Sequence, residues 1–236
     1  EHVITILDAY TTTQGSISWE GLEGLGRVVA YDRTSPSDVV ARCIDSDIVL
    51  TNKVVMDSSI MSQLPKLAYI GVLATGYNVV DTAYAAAHGI VVSNVPAYSS
   101  ASVAQMVIAH LLNVTNNIAH YADECRRGRW ASSPDFCFLD TQTRELEGQA
   151  MGIVGMGNIG SRVATAANAL GMRVLAVTSK RPSELPSYVT PVSPDTLFET
   201  ADVISLHCPL TGSTRHMVNA TTLAMVRPGA IIINTG

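Results

Sequence analysis

The residues with the clearest chemical consequence are three glycines spaced as Gly-x-Gly-x-x-Gly, in Gly155-Met156-Gly157-Asn158-Ile159-Gly160. An apolar run, Ala150-Met151-Gly152-Ile153-Val154, precedes them, a helical pattern covers 161–170, and a second apolar run follows at 173–177. Strand, tight glycine turn, helix and strand in that order are what a dinucleotide-binding turn requires. The first glycine lets the chain turn sharply, the second lets the backbone approach a pyrophosphate, and the third lets the helix pack closely on the strand. The helix start then offers N–H groups and a partial positive charge to phosphates. The amides of Asn158 and Ile159 are expected to meet the pyrophosphate, with Ile159 also packing under the helix start.

The end of the second strand bears on which dinucleotide is bound. NAD-binding turns place Asp or Glu there, about 20 residues after the glycines, on the ribose 2′-hydroxyl. Here the strand leads into Thr178-Ser179-Lys180-Arg181-Pro182, and no acid occurs before Glu184. A carboxylate would repel a 2′-phosphate, whereas Ser179, Lys180 and Arg181 suit charge-assisted hydrogen bonds to one. NADP is therefore expected in preference to NAD. In the plainer alternative, Lys180 and Arg181 are solvated turn charges and NAD is accepted.

A second set of candidates lies in the N-terminal half. Thr75 and Gly76 follow an apolar run at 67–72, where parallel sheets place ligands. Their backbone N–H groups are suited to cradle a carboxylate, with Ala74 beside them. Asn52 and Lys53 follow the run at 47–51 in the same way. Lys53 is either an attractor of an anionic substrate or a solvated loop charge. No histidine or cysteine falls in a metal-ligand pattern, so no metal is expected.

These residues need a scaffold of alternating strands and helices. Short runs rich in Val and Ile at 3–7, 27–31, 47–51, 67–72 and 90–93 read as strands buried on both faces. Helical patterns at 19–25, 36–43, 57–64 and 77–88 separate them. Asn94-Val95-Pro96-Ala97-Tyr98 breaks the alternation and marks a boundary between domains at 1–97 and 98–236. One long helix is expected from 99 to 127, buried in its first half because apolar residues occur on more than one face. An irregular loop covers 131–143, a proline-rich connection follows 177, and further helices at 195–200 and 220–225 alternate with strands at 203–206 and 230–233. The fold class is α/β, with two doubly wound parallel sheets.

Composition narrows the function classes. With 47% hydrophobic and 15% charged residues, the 236-residue chain can bury a sizeable core. A net charge of −5 argues against non-specific nucleic-acid binding. No apolar run is long enough to span a membrane, and the first residues lack the features of a signal peptide. Four scattered cysteines read as reduced thiols, and the expected location is cytoplasmic.

Five blocks together resemble the D-isomer-specific 2-hydroxyacid dehydrogenases. They are Leu73-Ala74-Thr75-Gly76-Tyr77-Asn78-Val79-Val80-Asp81; Asn94-Val95-Pro96 with 101–106; the glycine turn; 201–211 with Leu206-His207-Cys208-Pro209; and 225–230 leading to Ile233-Asn234-Thr235. Their order and spacing cover essentially the whole chain. Tyr31-Asp32-Arg33-Thr34, Leu50-Thr51-Asn52-Lys53 and 133–138 look closest to the glycerate dehydrogenase or hydroxypyruvate reductase branch.

The resemblance implies a flavodoxin-like substrate domain, a Rossmann cofactor domain, and reversible hydride transfer between a nicotinamide and C2 of a small 2-keto or 2-hydroxy acid. It adds the backbone of Cys208 and Pro209, Thr214, Asn234 and Thr235 to the cofactor contacts, and it implies a homodimer in which Phe136 or Phe138 reaches the neighbour. The chain ends where the resemblance places the catalytic Arg, with the Glu and His further on. No catalytic residue is therefore expected within 1–236, and the chain reads as part of a longer enzyme. His207 is not at the family's catalytic position, and Cys208 has no adjacent base that would make it a nucleophile. The other readings are a phosphoglycerate-type dehydrogenase, a non-catalytic nucleotide-sensing protein and an inactive fragment.

Overall fold

The computed structural model describes residues 1–16 and 18–236. They form two compact units, Glu1–Tyr98 and Ser99–Gly236. The first carries β1 (His2–Ile6), α1 (Ala9–Thr13), β2 (Gly26–Ala30), α2 (Val39–Cys43), β3 (Ile48–Thr51), α3 (Ser58–Met61), β4 (Tyr69–Val72), α4 (Thr82–Ala87) and β5 (Val91–Asn94). The second carries α5 (Ser100–Asn116), α6 (Ile118–Arg126), α7 (Arg129–Ser132), β6 (Ala150–Val154), α8 (Asn158–Ala169), β7 (Arg173–Val177), β8 (Val189–Pro191), α9 (Pro194–Thr200), β9 (Val203–Leu206), α10 (Ala220–Met225) and β10 (Ile231–Asn234).

Both sheets are parallel, ordered β2-β1-β3-β4-β5 and β10-β9-β6-β7-β8. These are the flavodoxin-like and Rossmann orders, each doubly wound. The winding reverses between β1 and β3 in one sheet and between β6 and β9 in the other. At such a point the following loops part above the carboxyl ends of the strands and leave a crevice for ligand. Asp8 and Asn52-Lys53 flank the first reversal; Gly155 to Gly157 and His207-Cys208 flank the second.

Burial explains why the strands are where the apolar runs are. All five residues of β6 are buried, whereas the edge strands β2 and β5 are partly exposed, β5 at every second residue. Met151, Ile153, Val163 and Val203 form a core with Val107 and Leu111 of α5. Leu197, Phe198 and Ile204 form a second cluster. Each fully buried side chain of this size contributes about 1.5–3 kcal/mol.

The two sheets also share a polar device. Asp47, just before β3, accepts the Val3 N–H at 2.8 Å while its own N–H donates to the Val3 carbonyl at 3.0 Å. Asp202, just before β9, makes the same reciprocal pair with Ala150, at 2.8 and 2.9 Å. The Val3 N–H holds the Asp47 carboxyl below the usual carboxylate range.

Several elements differ from the sequence reading. The helix expected at 99–127 is two helices, broken at Asn117, whose φ of 49° is left-handed. Asn tolerates that conformation, and the Asn113 side chain accepts the Ala119 N–H across the break at 3.1 Å. Only one stripe of α5 is buried (Ser100, Ala104, Val107, Leu111 and Thr115), and Met106 and Val114 are exposed. The pattern at 77–88 is helical only over α4, because Asp81 caps it through the Tyr84 N–H at 2.9 Å. The segment 19–25 holds a single 3-10 turn, Glu20–Leu22, and 36–43 opens as one before α2. β8 lies in the proline-rich connection; its Pro191 is tolerated because β8 is an edge strand.

Candidate functional site

In the second unit Val177, Val154, Leu206 and Asn234 lie in one row across the sheet. Thr178, Gly155, His207 and Thr235 therefore leave the sheet at one edge, which brings the candidate cofactor residues together. The three motif glycines meet different neighbours. Gly155 has a φ of +97°, and a Cβ there would lie 2.8 Å from the His207 backbone. A Cβ on Gly160 would lie 2.0 Å from the Gly155 carbonyl oxygen. A Cβ on Gly157 would meet nothing within 4 Å among the described residues. Gly155 and Gly160 are thus demanded by the chain's own packing, whereas Gly157 faces open space at the N-terminus of α8.

Gly157 caps α8 without a side-chain bond, and the first turn of α8 holds no acid. The amides of Asn158, Ile159 and Gly160 donate no hydrogen bond among the described residues. A phosphate-bearing cofactor fits this end, because the donors are unspent and the residue facing outward has no side chain.

At the end of β7 the geometry redistributes the expected donors. The Lys180 N–H donates to Thr178 Oγ1 at 3.2 Å. Arg181 pairs with Glu184, its N–H at 2.8 Å and its Nε at 3.1 Å from the same carboxylate oxygen. These bonds hold the Glu184 carboxyl below its ordinary range. Arg181 is thus already engaged, and Ser179 and Lys180 are the donors without an ionic partner among the described residues.

Beyond β9, the His207 N–H donates to the Val154 carbonyl at 2.8 Å and its Nε2 lies 2.8 Å from Ser205 Oγ. Burial pushes the His207 imidazole toward its neutral form. Cys208 Sγ contacts Met217 Sδ at 3.9 Å. The Thr214 hydroxyl donates to the Pro209 carbonyl at 2.6 Å and accepts the Thr211 N–H at 2.8 Å, so its proton is spent inside the loop. Asn234 Oδ1 accepts the Gly236 N–H at 3.2 Å, and the Thr235 hydroxyl is buried with no hydrogen-bond partner among the described residues.

In the first unit the loop after β3 is organised by Asp8, a residue that the sequence reading did not single out. Its buried carboxylate accepts the Asn52 N–H at 2.8 Å and the Lys53 N–H at 2.6 Å. The Asn52 side-chain amide donates to the carbonyl and hydroxyl of Thr11 at 3.3 and 3.1 Å. Asn52 is therefore spent on structure, and the loop presents the exposed Lys53 ammonium, which has no ion pair among the described residues. The available signal was an acid placed directly after the first apolar run.

The loop after β4 is tied to the end of β5. Asn94 Nδ2 donates to the Thr75 carbonyl at 2.7 Å, Thr75 Oγ1 to the Val95 carbonyl at 3.1 Å, and the Val95 N–H to the Ala74 carbonyl at 3.1 Å. Ala74 is buried in the core, while Thr75 and Gly76 are exposed and their amides donate no hydrogen bond among the described residues. Gly76 is not left-handed, and a Cβ there would meet only Asn78 Oδ1, at an ordinary 3.5 Å. Nothing among the described residues requires a glycine there. The loop is a fixed frame presenting two free N–H groups, which can hold a carboxylate.

Known proteins resemble this chain in sequence and in fold. Residues 108–236 match the family model described as D-isomer specific 2-hydroxyacid dehydrogenase, NAD binding domain. The chain is 43% identical over 235 residues to a hydroxypyruvate reductase of Blautia hydrogenotrophica, covering 98% of this chain and 73% of that protein. It is 38% identical over 206 residues to a glycerate dehydrogenase of Methylorubrum extorquens, covering 87% and 64% of the two. Among solved structures it superimposes on an acyclic imino acid reductase in complex with NADPH and D-Arg, with a TM-score of 0.83 at 26% identity, covering 98% of this chain and 73% of that one. It also superimposes on D-lactate dehydrogenase from Aquifex aeolicus complexed with NAD and lactic acid, with a TM-score of 0.81 at 27% identity, covering 99% and 68%. In sequence, in sheet order and in the glycine turn, the chain belongs to the D-isomer specific 2-hydroxyacid dehydrogenase family.

Proposed function

We propose that this chain binds the cofactor and the substrate of a 2-keto acid reductase acting on hydroxypyruvate or glyoxylate, forming D-glycerate or glycolate. The identity of 43% to a hydroxypyruvate reductase across nearly the whole chain carries the reading. A bound nicotinamide would supply hydride to C2 of the keto acid. The chain's own residues bind and orient. The N-terminal amides of α8 hold the pyrophosphate, and Gly157 leaves room for it. The backbone of Cys208-Pro209 borders the nicotinamide. The Thr75 and Gly76 amides hold the substrate carboxylate, and Lys53 draws the anion in. No residue of 1–236 is assigned as proton donor: burial pushes the His207 imidazole toward its neutral form, and its Nε2 is engaged with Ser205. The phosphoglycerate-type and sensor readings are not favoured, since the 43% and 38% relatives carry the hydroxypyruvate reductase and glycerate dehydrogenase names.

NADP is the proposed preference, with Ser179 and Lys180 as the first holders of a 2′-phosphate. Arg181 joins them only by leaving Glu184. A homodimer and a cytoplasmic location complete the proposal; among the described residues no helix is long and apolar enough to cross a membrane.

The test is oxidation of NADPH and NADH in parallel with hydroxypyruvate, alongside direct titration of each dinucleotide by nicotinamide fluorescence. NADPH should bind more tightly, and replacing both Lys180 and Arg181 with Ala should cost it about tenfold, roughly 1.4 kcal/mol, while sparing NADH. Equal loss for both would sink the NADP preference. Failure to bind either dinucleotide would sink the whole reading.

A further inference from the structure

At the carboxyl end of β2, on the far side of β1 from the β1/β3 reversal, lies a cavity of about 650 Å³ lined by Tyr10, Ala30, Tyr31, Asp32, Arg33 and Arg42. None of these residues takes part in the cofactor or substrate regions described above. Three of them fall in the Tyr31-Asp32-Arg33-Thr34 block.

The wall of this cavity is preformed. The Tyr31 N–H donates to the Ile6 carbonyl at 2.8 Å, the Ala9 N–H to the Tyr31 carbonyl at 2.9 Å, and the Tyr10 N–H to the Asp32 carbonyl at 3.3 Å. Thr34 Oγ1 donates to the Leu7 carbonyl. Arg42 braces the turn from below: its Nη1 donates to the Arg33 carbonyl at 2.7 Å and to Thr34 Oγ1 at 2.8 Å, and its guanidinium lies 4.1 Å from the centre of the Tyr31 ring.

The groups facing the cavity are, by contrast, unspent. The Arg33 guanidinium stacks over Tyr10, 4.8 Å from the ring centre, and makes no hydrogen bond or ion pair among the described residues. The hydroxyls of Tyr10 and Tyr31 and the carboxylate of Asp32 likewise have no hydrogen-bond partner there. A guanidinium laid on an aromatic face is oriented before a ligand arrives, and its planar edge stays open for two parallel bonds to an oxyanion. The lining carries two arginines and one aspartate; Arg42 also faces Asp38 at 3.9 Å, so Arg33 is the lining cation without an ion pair among the described residues.

We propose that this cavity is a second ligand site, taking a small organic oxyanion whose carboxylate or phosphate head is gripped by Arg33, with the Tyr10 and Tyr31 hydroxyls as further donors. Arg42 is a positioning residue that acts through the Arg33 carbonyl and the Tyr31 ring.

The test is a titration of the 15N-labelled chain with inorganic phosphate and, separately, with malonate, at ionic strength held constant with chloride. Saturable shifts at the amides of Tyr31, Asp32 and Arg33 are expected with at least one probe, and the probe that saturates identifies the head group. Arg33→Ala should weaken binding at least tenfold and Tyr10→Phe, which keeps the ring, by a smaller factor. Lys53→Ala should leave these shifts unchanged, which separates this site from the proposed substrate loop. Shifts that do not saturate with either probe, or that persist in Arg33→Ala with a native spectrum, would overturn the proposal. If Arg33→Ala loses its native spectrum, undiminished binding in Tyr10→Phe would overturn it.

Discussion

At the scale of single residues, the glycine turn separates what the fold needs from what the ligand needs. Gly155 and Gly160 are held by backbone atoms 2.8 and 2.0 Å from where a Cβ would stand, whereas Gly157 has an open surround and an ordinary φ of −78°. Gly155→Ala and Gly160→Ala should therefore lower stability by about 1–3 kcal/mol, the usual range for overpacking, with more at Gly155 because its φ of +97° adds backbone strain. Gly157→Ala should leave the thermal midpoint unchanged and weaken dinucleotide binding about tenfold or more, roughly 1.4 kcal/mol. Thermal melts and fluorescence titrations on the three variants check this. A destabilised Gly157→Ala that still bound normally would reverse the assignment. A lone spacing pattern in the sequence shows that three glycines recur; only the neighbours of each show which are structural. Asp8 was hidden for the same reason. Its partners, Asn52 and Lys53, lie more than forty residues away, and no local pattern joins them.

At the scale of elements, the strands were legible because burial on both faces forces continuous apolar runs, and alternating those runs with helices predicts parallel sheets; the two strand orders, which differ between the units, came only with the family resemblance. β8 was not legible, since an edge strand bonded on one side tolerates the proline that argues against a strand. The break at Asn117 was hidden because helical apolar spacing continues across it while one asparagine adopts a left-handed φ. The reciprocal aspartate pairs came from contacts distant in sequence. Asp202 does more than Asp47: besides the Ala150 N–H, its carboxylate receives Arg227 at 2.8 Å and faces Arg144 at 3.7 Å. Arg144 in turn donates to the Gly229 carbonyl at 2.7 Å, so the starts of β6, β9 and β10 share one acid. Asp202→Ala would leave the Ala150 N–H and the Arg227 guanidinium without their shared acceptor and Arg144 without its neighbouring countercharge. It should cost about 1–3 kcal/mol, the price of a buried donor left unpaired. Urea denaturation should show a lower midpoint with the slope unchanged; an unaltered midpoint would mean that water replaces the carboxylate at no cost.

At the scale of the whole molecule, the question is what covers the apolar surface of the second unit. Phe136 is 89% exposed and Leu139 77%, and Met106, Val114, Ile118 and Trp130 are exposed with them. The segment carrying Phe136 and Leu139 is nevertheless held in place. Asp140 receives Arg129 and lies 2.7 Å from His120 Nε2, while the Tyr121 hydroxyl accepts the N–H groups of Asp140 and Thr141 at 3.0 and 3.2 Å. Phe138 packs inward against Tyr121 and Trp130, with Arg129 4.6 Å above its ring. Of the two phenylalanines expected to reach a neighbour, only Phe136 points outward, on a segment whose ordering cost is already met before association. A second copy of the chain is the proposed cover. Light scattering should give twice the 25.0 kDa chain mass. Phe136→Ser with Leu139→Ser should shift the mass toward one chain without lowering the thermal midpoint of the unit itself. Asp140→Ala should weaken association without touching the outward face, because it releases the segment rather than changing its surface. The same release should occur on acidification. Arg129 holds the Asp140 carboxyl below the ordinary carboxylate range, so its contribution is complete above about pH 4 and is lost only as pH falls through the depressed value. Association that stayed unchanged in both variants would assign this face to some other cover, and a single-chain mass for the unaltered protein would end the dimer proposal.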